Sequence, residues 1–97
     1  MPVQNAKTKA ADLQRQLALL LGHARTKVRP HGSHLLIQLQ RSDDLDTIAR
    51  ITLVATNLYG AAFRTHTGRW ETLPVSGDLS STASTVVALL APYLTSE

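Results

Sequence analysis

Thr47-Ile-Ala-Arg-Ile-Thr-Leu-Val-Ala-Thr56 is the stretch on which the fold turns, because it satisfies two periodicities at once. With period two it sets Ala49, Ile51, Leu53 and Ala55 on a core face and Ile48, Arg50, Thr52, Val54 and Thr56 on the other. Its many β-branched residues suit a pleated surface. With period 3.6 it is a helix, capped by Ser42, Asp43 and Asp44 and ended near Gly60. The helical version gains from an offset of 34 residues that sets Ser42, Asp44, Leu45, Thr47 and Ala49 against Ser76, Asp78, Leu79, Ser81 and Ala83. A duplicated hairpin-plus-helix unit would leave such a trace, but capping sequences resemble one another in any case. The strand is the preferred reading and the helix its alternative.

The flanks are easier to read. Upstream, Ala6, Ala10, Leu13, Leu17, Leu20 and Leu21 recur at three- and four-residue spacing, with Asn5 as cap and Gly22 as stop, which predicts a helix over 6–21. Residues 1–5 read as a disordered start, and 6–97 as one domain, since a chain of 97 residues suits one core rather than two. Ala24 to Pro30 reads as an edge strand, where proline is tolerated. After a turn at His31, Gly32 and Ser33, residues 34–40 alternate, with Leu35, Ile37 and Leu39 facing inward. Arg41 to Asp46 reads as a polar loop.

Downstream, Tyr59 to Thr65 and Arg69 to Leu73 read as a hairpin joined through His66, Thr67 and Gly68, with Phe63 and Trp70 as its apolar anchors. Pro74 and Gly77 then end the sheet. Leu79, Ala83, Val86, Val87, Leu90 and Leu94 form a last helical stripe capped by Asp78 or Ser80, with Pro92 breaking or kinking its final turn. The expected fold is an α+β two-layer sandwich: an N-terminal helix, an antiparallel meander of four or five strands, and a C-terminal helix, both helices on one face of the sheet.

Charge is distributed unevenly. Residues 1–30 hold six cations against Asp12 alone, while residues 31–97 hold four arginines against six acids. His23, Arg25, Lys27, Arg29, His31 and His34 follow one another without an acid between them, a run that attracts an anionic partner. The absence of cysteine excludes disulfides, thiolate metal sites and a cysteine nucleophile. The apolar run Leu17 to Leu21 is short for a membrane span, and a cytoplasmic protein is the default expectation.

Candidate chemistry is sparse. Zinc needs three or four ligands converging at about 2.0 to 2.3 Å, and His23, His31 and His34 lack a carboxylate or thiolate to complete the set, so no metal and no cofactor is expected. Ser33 and His34 adjoin on a strand and point to opposite faces. No phosphate loop or nucleophile elbow occurs. The chain is therefore expected to act by binding rather than by catalysis.

Two binding surfaces are expected. Arg25, Lys27, Arg29, Arg50 and Arg64 are the candidates for nucleic acid or an acidic protein, through phosphate contacts from the basic segment and the uncovered sheet face. Leu36, Ile48 and Val54 are apolar residues interleaved on that same face and are the candidates for a homodimer interface. Of the two, a self-associating interaction module is the first expectation and nucleic-acid binding the alternative.

Gly32-Ser33-His34 on a turn entering a strand, followed later by Leu73-Pro74-Val75 and a helix, resembles the HicA-type RNA-cleaving toxins. That resemblance implies a helix, three strands and a helix, with His34 as the catalytic histidine. The segment between the turn and Leu73 is much longer here, and a further family histidine corresponds to Leu35. The element order also resembles double-stranded RNA-binding domains, whose second helix offers lysines to phosphates. Here the last helix has no Lys or Arg.

Overall fold

A computed structural model describes residues 6–41 and 44–95, so the expectations for residues 1–5 and for caps at Ser42 and Asp43 lie outside the described residues. The elements are α1 (Ala6–Leu21), β1 (Thr26–His31), β2 (His34–Arg41), β3 (Asp44–Ala55), β4 (Leu58–Arg64), β5 (Trp70–Gly77) and α2 (Leu79–Thr95). The five strands pair antiparallel in chain order, and both helices pack on one face, giving a two-layer α+β sandwich. Residues 47–56 are strand, and the helical alternative is not adopted. Their inward residues meet inward residues of β2, Ile51 opposite Leu35 and Ala49 opposite Ile37, and all four are buried. A helix there would have left the apolar face of β2 without a neighbour to share its cover.

The core is built from three stripes. Ala10, Leu13 and Leu17 of α1, together with Leu79, Ala83, Val86, Leu90 and Leu94 of α2, close over Leu35, Ile37, Ala49, Ile51, Tyr59, Ala61 and Leu73 of the sheet. Gly22 ends α1 in the left-handed region at φ +79°, its N–H bonding the Ala18 carbonyl at 2.9 Å, as a glycine stop does. Asp78 caps α2 by accepting the Ser81 N–H at 2.8 Å. His23 ties the two helix ends together: its Nε2 is 3.0 Å from the Leu94 carbonyl while its Nδ1 accepts the Arg25 N–H at 3.1 Å. That histidine is therefore a half-buried structural link rather than an open turn residue.

Several boundaries differ from expectation, each for a local reason. β2 runs to Arg41 and β3 begins at Asp44, which pairs with it, so most of the expected polar loop is strand. Leu53 and Ala55 are exposed where the β3–β4 hairpin extends beyond the helical layer. Pro74 does not end the sheet, because β5 is an edge strand and the register there lets Leu73, Pro74 and Val75 together face Ala61. Pro92 lies inside α2 without ending it: it is exposed in the last turn, and the carbonyl it leaves unbonded belongs to exposed Ala88.

Two larger corrections bear on the candidate sites. Trp70, expected in the core, lies on the uncovered face. Ile48, expected on the uncovered face, packs against the core. A bulge causes the second: Ile37 pairs with Ala49 but Gln38 with Thr47, so Ile48 is an extra residue and turns to the helix side.

Candidate functional site

The face of the sheet opposite the helices carries the basic residues. Because Thr26 and Val28 face the helices, Lys27, Arg29 and His31 alternate to the open side of β1. Arg25 continues that alternation, since its carbonyl accepts the Gln40 N–H at 2.7 Å and so extends the ladder by one step. One cross-strand row runs Arg29, Leu36, Arg50, Ala62, Thr72, and the next runs His31, His34, Thr52, Gly60, Ser76. Neither row contains an acid. Glu71 pairs with Phe63 on the helix side, and Asp44 and Asp46 sit at the far end of the β2–β3 hairpin.

Arg50 is the centre of this face. Its guanidinium lies 4.4 Å from the centroid of the Trp70 ring, reaching from β3 across β4 to β5. The residue crossed is Ala62, which is only 7% exposed although it stands on the uncovered face. A small side chain there leaves room for the pair. Such a contact is worth about 0.5–1 kcal/mol at exposed sites. Arg50 Nε is buried without a hydrogen-bond partner, so the guanidinium is partly stripped of water and incompletely satisfied.

His34 borders the pair. Its Nδ1 is 2.8 Å from the Thr52 hydroxyl, and it stands opposite His31 at the β1–β2 turn, where Gly32 takes φ +63°. Partial burial holds the imidazole below its ordinary value, and the charge of Arg50 and then of His31 lowers it further. Above that lowered value His34 is neutral, and it gains a charge only as the medium turns acid.

Arg64 sits at a corner. Its backbone pairs with Trp70, but its guanidinium folds back along the β4–β5 hairpin, 3.7 Å from where a Cβ on Gly68 would stand. The sheet thus brings Lys27, Arg29 and Arg50 together, with Arg25 at the strand entry and Arg64 at the margin. The apolar trio is not brought together: Ile48 is on the other side, and Thr52 and His34 separate Leu36 from Val54. The strand pattern alone did not reveal Trp70 as a face residue, because a lone tryptophan reads as a core anchor. The alternation Arg64–Trp70 across a hairpin carried the hint.

The edge of β1 is guarded as well as charged. Gln14 of α1 accepts the Val28 N–H at 2.9 Å, filling a donor that an added strand would otherwise use. Among the described residues no three of His, Asp and Glu are grouped so as to hold a metal ion, and no helix is long and apolar enough to cross a membrane. No family model, no curated protein and no solved structure matches the chain.

Proposed function

We propose that the open sheet face binds single-stranded nucleic acid without strong sequence preference. The observation that carries this reading is the Arg50–Trp70 stack beside two cross-strand rows that hold no acid, with Lys27 and Arg29 on the edge strand. Single strands are held by cations that follow the backbone and by planar groups that stack on bases. Trp70 and the Arg50 guanidinium offer such planes, and low-profile Gly60, Ala62 and Thr72 leave a shelf beside them. Duplex is the poorer fit, because a flat sheet face with one central aromatic has no projecting element for a groove. A cytoplasmic location, where RNA is abundant, belongs to the same proposal.

The single tryptophan makes the test direct. Titrating an oligothymidylate or oligouridylate into the protein is expected to quench Trp70 emission saturably, with a duplex of equal length binding more weakly. Trp70→Ala, followed by anisotropy of a labelled oligonucleotide, is expected to cost about 1–3 kcal/mol of binding. Quenching that is absent at low salt, or affinity unmoved by Trp70→Ala in a folded protein, would sink the proposal.

A second reading, self-association, is favoured by the β3–β4 hairpin end. Leu53 and Leu58 are partly exposed there and Val54 is 65% exposed, an apolar tip outside the helical layer. Light scattering over a range of concentrations tests it: a constant monomer mass removes this reading. Cleavage of RNA by His34 is the weakest reading, and its check is whether RNA survives incubation with wild type and with His34→Ala alike.

A further inference from the structure

On the helix side, away from the basic face, a cleft of about 450 Å³ opens between the β4–β5 hairpin and the C-terminal half of α2. That volume falls within the roughly 300–1,000 Å³ of small-ligand sites. Ile48, Phe63, Leu90 and Tyr93 form its apolar wall, and Arg64, Arg69 and Glu71 stand at its polar rim. Nothing in the nucleic-acid reading uses it.

Three features distinguish this cleft from an ordinary surface dent. The β3 bulge turns Ile48 into it, and bulges re-aim side chains where a site needs them. The rim is ordered in advance: the Arg69 N–H donates to the Thr65 hydroxyl at 3.1 Å, the Thr65 N–H to the Arg69 carbonyl at 2.8 Å, and the Gly68 N–H to the Thr65 carbonyl at 2.9 Å. A pre-ordered loop loses little entropy on binding. Finally, Tyr93 is 60% exposed and lines the cleft with Phe63, so aromatic surface faces water in a cleft whose lining also includes Arg64 and Arg69.

We propose that this cleft binds a small aromatic carboxylate. The ring lies against Phe63, Tyr93 and Ile48, and the carboxylate meets Arg69 and Arg64, whose forked donors match its two oxygens. Glu71 is one acid against two arginines, so the rim retains a net preference for an anion. It also accepts a hydrogen bond from any donor on the ligand. The chemistry requires both parts, since a ring alone lacks the rim contacts and a carboxylate alone lacks the wall.

The test uses the full chain and three probes: phenylacetate, acetate and 2-phenylethanol, followed by amide and methyl NMR shifts. Saturable shifts are expected for phenylacetate at residues 65–69 and at the methyl groups of Ile48 and Leu90. Acetate and 2-phenylethanol are expected to bind at least about tenfold more weakly, as is phenylacetate to Arg69→Gln. Arg69 is exposed, so the variant keeps its fold, which its amide dispersion checks. Lys27→Gln, on the opposite face, leaves the affinity unchanged. Shifts centred on Lys27, Arg29 and Arg50, equal binding of acetate and phenylacetate, or no saturation at all would overturn the proposal while leaving the nucleic-acid reading intact.

Discussion

Salt dependence measures how many of the face cations meet phosphates. Arg25, Lys27, Arg29 and Arg50 are four cations on the open face. Each phosphate neutralised on a single strand contributes about −0.7 to the slope of log K against log salt, so four give about −2.8. Raising salt from about 50 to about 200 mM then weakens binding roughly 50-fold. Arg29→Ala removes one contact and lowers the slope to about −2.1, cutting the loss over the same interval to roughly 20-fold. Anisotropy of a labelled oligothymidylate at four or more salt concentrations reads both slopes. Lys9→Ala, on the helix layer, is the control and should leave the slope where it was. A wild-type slope shallower than about −1, or equal slope changes for Arg29→Ala and Lys9→Ala, would refute the assignment of these cations to the site.

Protonation gives a second check. The folded His34 value is lowered, so the unfolded chain binds more protons just below about pH 6.5, and stability falls as pH drops from there through the folded value. His34→Gln should flatten that slice of a denaturation-against-pH series. Bound phosphate beside His34 favours its charged form, so nucleic-acid affinity should rise over the same window in wild type and not in His34→Gln. Ala62→Leu is expected to part Arg50 from Trp70 and to cost about 1–3 kcal/mol by overpacking, read as a shifted tryptophan emission and a lower urea midpoint. Arg50→Met should leave stability equal or raised in the same urea titration while weakening oligonucleotide binding. Leu17→Ala, wholly buried in α1, should cost about 2–5 kcal/mol without altering the ligand slopes of the folded fraction.

The order of elements was legible because each half of the sandwich repeats a simple period. Leu35, Ile37 and Leu39 alternate, and Leu13 and Leu17 recur at helical spacing, so both layers declared their inner faces. The bulges were not legible. A single extra residue at Ile48 reverses which side an apolar residue faces, and no local composition marks it. The same limit hid the site. Trp70 pairs with Arg64 across the hairpin, and only the register shows that its ring meets Arg50, 20 residues earlier in the chain and two strands away. Pro74 misled because it does end central strands, whereas here it falls on an edge.

Edge protection and ligand binding both explain cations on β1, since Lys27, Arg29, Pro30 and the Gln14 bond to Val28 all discourage an added strand. Neither motive is separable at those residues. Arg50 separates them, because β3 is the central strand and has no edge to guard. There a long cation is held over Trp70 with a buried Nε that finds no acceptor, and an unsatisfied buried donor costs about 1–3 kcal/mol. The stack with Trp70 returns only about 0.5–1 kcal/mol. A sheet optimised for stability alone would carry an apolar residue at this position, as neighbouring Leu36 and Ala62 allow. On the proposed reading Arg50 stands there to meet a phosphate, so stability and binding should move in opposite directions when it is replaced.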